Sequence, residues 1–270
     1  MSAAAVTERL TQAQLEELAR KLETMTDPQD LIRAVFAAAG ARAAIGTSGQ
    51  LTGSVMLDLA VRAGVDPRVF TIDTLRLFPE TYELLRTLER KYDLPFEWYR
   101  PDQQAVRKMV ERHGEFLFFD SKGKQEYCCE IRKVNPNLRA LGTLDVWLTG
   151  LRADQSESRR EVPRVELIDH TDEDGTSRKI LKVAPLVDWT EARLREYCDH
   201  YKVPIHPLLV FWEAQGWRYE SIGCTICTTP SGPHEPRRSG RWRWQTAANA
   251  DGTDHKECGI HLAPAHSDRS

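Results

Sequence analysis

From Ala41 onward the sequence alternates short strand-like runs with amphipathic helical ones, and this rhythm constrains the fold more than any other feature. RAAIGT is followed by LTGSVMLDLAVRAG, RVFTID by PETYELLRTLERKYD, and FEWYRP by QQAVRKMVERHG. Parallel strands need long crossover connections, so this order predicts an α/β fold with an open, mainly parallel, Rossmann-like sheet flanked by helices. A further strand is expected at LDVWLTG, a polar loop at RADQSESRREVPR, and a hairpin from VELIDH and RKILKVAPL around the turn-rich TDEDGTS. WTEARLREYCDHYK reads as the helix that follows.

Three segments result. Residues 1–40 read as a helical cover: LTQAQLEELARKLETM has apolar residues at three-to-four spacing, and TDPQD marks a break and a new cap. Residues 41–229 form the α/β domain. Residues 230–270 are rich in Gly, Pro and charge with little periodicity, and are expected to be a flexible tail that can reach back over the domain.

Composition narrows the chemistry. A chain of 270 residues, 41% hydrophobic and 29% charged, can bury a large core without disulfides. No apolar run is long enough to span a bilayer and the N-terminus lacks a secretory apolar core, so no membrane and a cytoplasmic location are expected. In that reducing setting six cysteines call for metal, cluster or nucleophile chemistry. A net charge of −3 and a pI near 6.3 give no general pull toward nucleic acid, so any anion site is local.

Such a site is suggested where the first strand runs into a helix through IGTSGQLTGS, with Ser48 and Gly49 at the turn. Backbone amides there suit a phosphate, although the segment is neither a GxGxxG nor a Walker A loop, and a turn that merely spares side-chain bulk would look alike. Four cysteines are more specific. Cys128 and Cys129 are adjacent in EYCCEIRK, and Cys224 and Cys227 form the C-x-x-C of SIGCTICTT. Four thiolates suit a tetrahedral zinc or a 4Fe–4S cluster, and the divergence of neighbouring side chains favours the cluster. Cys198, in LREYCDHYK, reads as a core residue. Cys258, in HKECGIHL near the end of the tail, is a candidate nucleophile or an incidental exposed thiol. Arg237, Arg238 and Arg241, with Arg132, Lys133 and Arg152, can form a local phosphate or sulfate clamp, while Trp242 and Trp244 are expected to pack the tail down.

Taken together, CCEIRK, SIGCTIC and KECGIHL, supported by TIDTLRLFPETYEL, TGLRADQS and PLVDWT, give a chain that resembles the sulfonucleotide reductases from about Ala41 to Leu262. Members of that family reduce adenosine 5′-phosphosulfate, or its 3′-phosphorylated form, to sulfite. The resemblance implies an adenine nucleotide α-hydrolase-like fold, with a 4Fe–4S cluster on Cys128, Cys129, Cys224 and Cys227. It also implies Cys258 as catalytic nucleophile and substrate contacts from Lys133, Arg238, Arg241 and His261. Thioredoxin or a glutaredoxin-like thiol donor is the implied partner, sulfate assimilation the implied role, and a homo-oligomer is allowed. QLTGS at 50–54 departs from the acidic GAED-type loop of many relatives, and an LTG version occurs in a family some of whose members use the 3′-phosphorylated substrate. The cluster cysteines accompany the non-3′-phosphorylated one, which favours adenosine 5′-phosphosulfate. Two other readings differ in class. A cluster-bearing ATP-pyrophosphatase-type thiolation enzyme calls for an SGGxDS loop, whose aspartate TSGQLTGS lacks. A zinc-stabilised binding module leaves Cys258 and the tail arginines without a role.

Overall fold

The computed structural model describes residues 8–210, 216–236, 238–245 and 260. Helices α1 (Gln12–Glu23) and α2 (Pro28–Ala39) come first. Thr11 and Gln14 close a capping box on α1, and Asp27 accepts from Gln29 and Asp30 ahead of Pro28 on α2, as the TDPQD break predicts. Strands and helices then alternate: β1 (Ala43–Gly46), α3 (Leu51–Arg62), β2 (Val69–Ile72), α4 (Pro79–Tyr92), β3 (Phe96–Tyr99) and α5 (Gln103–His113). Next come α6 (Lys122–Cys129), α7 (Asn135–Gly142) and β4 (Val146–Leu148). The hairpin β5 (Val165–Thr171) and β6 (Ser177–Val183) precedes α8 (Glu191–Tyr201) and the short α9 (Pro207–Val210).

The six strands form one sheet in the order β3-β2-β1-β4-β6-β5. Every neighbouring pair is parallel except β5 with β6. The open, mainly parallel α/β sheet read from the sequence, including its terminal hairpin, is the fold observed. Side chains alternate between its faces. Ile45, Val69, Val146, Leu148 and Leu181 join the larger core with α3, α4 and α8, and α1 and α2 contribute Leu15, Leu18, Leu22, Leu31, Ile32 and Val35 to the same core. Ala44, Phe70, Trp147 and Ile180 pack on the other face against Ala140 and Leu141 of α7.

Within this core the Asp58 carboxylate, only 3% exposed, joins three helices. It accepts from Tyr92 Oη of α4 at 3.0 Å, Tyr197 Oη of α8 at 2.7 Å and Arg62 Nε of α3 at 2.6 Å. Cys198 beside it is buried among apolar residues, and burial pushes its thiol up to about 12.

Replacing Asp58 by alanine strands two hydroxyls, each costing roughly 1–3 kcal/mol, so Asp58→Ala is expected to lose about 3 kcal/mol in urea unfolding. A second expectation concerns pH. His206 is fully buried, and burial lowers it from 6.5 to about 4 against the opposing pull of Glu80. Between those values the unfolded chain binds a proton that the folded chain does not. Stability is therefore fully present above about pH 6.5 and falls toward pH 4, by at most about 3 kcal/mol from this group. His170, lowered by burial and by Arg178, adds to the slope. In His206→Gln the slope of unfolding free energy against pH should flatten.

Candidate active site

The sheet order reverses at β1, which has β2 on one side and β4 on the other. In open α/β sheets the crevice beyond the carboxyl ends of such strands is where ligands bind. Here it holds a cavity of ≈ 220 Å³, lined by Gly46 at the end of β1, by Thr47 and Ser48 after it, by Thr149 and Gly150 after β4, and by the start of α3. The turn after β1 is tight: Gly49 has φ +70°, and its N–H donates to Thr47 Oγ1 at 3.2 Å. A Cβ on Gly53 would lie 2.3 Å from Thr47 Oγ1, so only glycine lets α3 start this close to the strand end. Gln50 does not cap α3 with its side chain; its Oε1 accepts instead from the Ile222 N–H at 3.3 Å. The first-turn residues Leu51, Thr52 and Gly53 thus face the cavity without a side-chain cap, the arrangement that favours an anion. Ser48 lines the cavity, whereas Gly49 shapes the turn beside it.

The expected basic residues converge here from distant parts of the chain. Lys133, Arg152, Arg238 and Arg241 all line the cavity. Arg152 is buried; its Nη1 donates to Thr52 Oγ1 at 2.5 Å and its Nε to Asp154 at 2.8 Å, which fixes it into the wall. Arg238 and Arg241 reach Ser221 Oγ at 3.2 and 3.4 Å. Gly223 makes room for Arg241, since a Cβ there would meet Nη2 at 2.4 Å. The same stretch is held down by Trp242, 2% exposed, whose backbone N–H donates to the Cys227 carbonyl, and by Trp244, whose Nε1 donates to the Phe118 carbonyl. Through Gln245 the segment that begins at residue 230 is therefore anchored to the domain. Arg237, Cys258 and His261 lie outside the described residues, but Ile260 lines the cavity and packs near Ala44, Phe70 and Trp147.

Lys133 owes its place to a feature the sequence did not announce. Between α6 and α7 the helix widens into a π-helical turn, Glu130–Val134, with the Asn135 N–H reaching back to the Glu130 carbonyl. Pro136 has no N–H to offer the Arg132 carbonyl, which accounts for the break in the ordinary ladder. Cys128 accordingly packs among Met109, Leu117 and Phe118 while Lys133 faces the cavity. Asn137, Gln155, Arg159 and Thr81 also line it and were not singled out from the sequence. The one available signal was their proximity to the motifs CCEIRK, TGLRADQS and PETYEL.

Three of the four cysteines, Cys128, Cys224 and Cys227, lie near one another beside this wall. Cys224 lines the cavity, pairs with Leu77 in an isolated bridge and lies 3.2 Å from Thr74 Oγ1. Cys129 Sγ accepts from Gln125 Nε2 at 3.1 Å. Cys128, Cys224 and Cys227 interact electrostatically with one another. Burial raises the Cys128 thiol against the pull of Arg132 and Arg76, and pushes Cys227 up to about 12 against Arg241 and Lys133. Burial also lowers Arg132, and both Arg132 Nε and Arg76 Nη1 are buried without a hydrogen-bond partner. Among the described residues no three His, Cys, Asp or Glu side chains form a group that could hold a single metal ion. The donor set nevertheless fits an anionic multi-iron centre, which would engage thiolates at separate corners and add counter-charge beside the desolvated Arg132.

Residues 42–230 match the family described as phosphoadenosine phosphosulfate reductase domain. The chain is 38% identical over 199 residues to the adenosine 5′-phosphosulfate reductase of Burkholderia cepacia, covering 74% of this chain and 72% of that one. It is 32% identical over 260 residues to the adenosine 5′-phosphosulfate reductase of Sinorhizobium fredii strain NBRC 101917 / NGR234, covering 96% of each. Among solved structures, the phosphoadenylyl-sulfate reductase of Candida auris, a phosphate complex, superposes with a TM-score of 0.61 at 26% identity, covering 83% of this chain and all of that one.

Gly223→Ala tests the basic wall directly. The added methyl displaces the Arg241 guanidinium, and losing a charged hydrogen bond, about 1.5–3 kcal/mol, should weaken binding of pyrophosphate at least tenfold in calorimetric titration.

Proposed function

The chain belongs to the phosphoadenosine phosphosulfate reductase domain family, and on that premise we propose that it reduces adenosine 5′-phosphosulfate to sulfite and AMP in sulfate assimilation. One observation carries the reading. A cavity of ≈ 220 Å³ at the switch point of the sheet is bordered by Lys133, Arg238 and Arg241, with Cys224 on the same wall and Ile260, two residues from Cys258 in sequence, lining it.

In this reading the α3 amino end and Ser48 hold the phosphate, and Lys133, Arg238, Arg241 and His261 clamp the sulfate. The Cys258 thiolate attacks the sulfur. Its S–O bond to the phosphate breaks, the electron pair leaves on AMP, and Cys258 carries a sulfonate as S-sulfocysteine. The positive wall offsets charge that grows on the leaving phosphate oxygen. A thiolate of thioredoxin, or of a glutaredoxin-like donor, then attacks Cys258 Sγ and releases sulfite. The donor's second thiol resolves the mixed disulfide, so two electrons pass from the dithiol to sulfur. With the chain anchored through Gln245, the remainder of the tail acts as the segment that presents one thiol to two partners in turn. Cys128, Cys129, Cys224 and Cys227 would hold a 4Fe–4S cluster, which would supply fixed negative charge at the basic wall. Free-thiol chemistry of this kind belongs in a reducing compartment, here the cytoplasm. Among the described residues no helix is long and apolar enough to cross a membrane.

Anaerobically purified protein with thioredoxin is expected to form sulfite from adenosine 5′-phosphosulfate at least tenfold faster than from its 3′-phosphorylated form. Cys227→Ser should lose iron and acid-labile sulfide. Preference for the 3′-phosphorylated substrate would reverse the specificity, and sulfite from neither would remove the reductase reading.

A further inference from the structure

The cavity wall contains a hydroxyl that is oriented from inside the core. Thr81, in the first turn of α4, is 2% exposed and lines the cavity. Its Oγ1 lies 2.9 Å from Nε2 of His206, which is fully buried. The other ring nitrogen of His206, Nδ1, accepts from the Leu208 N–H at 3.2 Å. A nitrogen that accepts a backbone N–H carries no proton, so in the neutral imidazole the proton sits on Nε2. Burial holds the ring neutral, its pKa lowered to about 4. Nε2–H must therefore donate to Thr81 Oγ1, and the Thr81 hydroxyl proton is left over. Among the described residues Thr81 Oγ1 makes no other hydrogen bond.

The surroundings indicate what accepts that proton. α4 packs against the turn into α3: a Cβ on Gly49 would touch Leu84 and Leu85 of α4. The amino ends of two helices thus converge on this side of the cavity, where partial positive charge favours an anion. We propose that His206 is a positioning residue that fixes the Thr81 hydroxyl as a hydrogen-bond donor to an anionic oxygen, phosphate or sulfate, of the nucleotide in the cavity. The proposal rests on the reading of this cavity as the sulfonucleotide site.

The test is calorimetric titration of adenosine 5′-phosphosulfate, and separately of AMP, into Cys258→Ser protein, which holds the substrate without turning it over. Thr81→Val keeps the shape and removes the donor, and should weaken binding about ten- to hundredfold, the range for a hydrogen bond to a charged group. Thr81→Ser should bind as the parent does. Loss with both ligands assigns the phosphate oxygen, and loss with adenosine 5′-phosphosulfate alone assigns the sulfate. His206→Leu should match Thr81→Val, and the double variant should be no weaker than either, because both remove one interaction. His206→Gln, which retains an N–H donor, should recover most of the affinity. Parental affinity in Thr81→Val would overturn the proposal, as would a further loss when His206→Leu is added to it, since the histidine would then act through the fold. Failure of the Cys258→Ser parent to bind either nucleotide would instead overturn the reading of the cavity.

Discussion

The divergence of the chain on either side of β1 is the constraint on which everything else depends. With β2 and β4 as its neighbours, the connections leaving their carboxyl ends run in opposite directions and leave a gap between them. The gap is then filled by what the ends of the strands carry: the Thr47–Gln50 turn, the uncapped start of α3 and the Thr149–Gly150 edge. Glycines at 46, 53 and 150 let these backbones approach one another. At Gly46 a Cβ would lie 2.6 Å from Trp147 Nε1, so the rings that close the floor of the cavity need the position bare.

Around that opening the chain concentrates positive charge that its own carboxylates only partly answer. Arg152 has Asp154, and Arg76 has Glu115. Arg132, by contrast, spends its hydrogen bond on the Thr74 carbonyl while its Nε stays buried and unsatisfied. Of carboxylates only Glu115 pulls on this desolvated guanidinium, and its nearer neighbours are thiols whose ionisation burial disfavours. Thiolates fixed as ligands on one side and an anionic group in the cavity on the other would offset that charge. The cysteines and the cavity therefore answer to one electrostatic problem, with Lys133 between them.

Much of this was legible in the sequence because it rests on local pattern. Strand and helix periods gave the sheet and its terminal hairpin, TDPQD gave the break before α2, and the Ser48–Gly49 turn, Lys133, Arg152, Arg238 and Arg241 were found as motif residues. What escaped depends on long-range geometry. The π turn at Glu130–Val134 follows from one missing N–H at Pro136 inside an otherwise helical run, and periodicity averages over such a defect. The buried His206 meets Thr81 across 125 positions, and neither residue stands out alone. The anchoring of residues 238–245 was half legible: Trp242 and Trp244 announced packing, while the Gly, Pro and charge content around them suggested freedom. Cys258 and His261 lie outside the described residues, so their roles rest on motif and chemistry.

In the proposed reaction a single tail thiol takes up the sulfonate at this cavity. The direct measurement is intact-mass and peptide spectrometry of anaerobic protein incubated with adenosine 5′-phosphosulfate and no thiol donor. The account predicts one added SO3 unit, located on the peptide that contains Cys258 and removed when thioredoxin is added. An unmodified protein that has nevertheless released AMP, or a sulfonate found on any other cysteine, would contradict it.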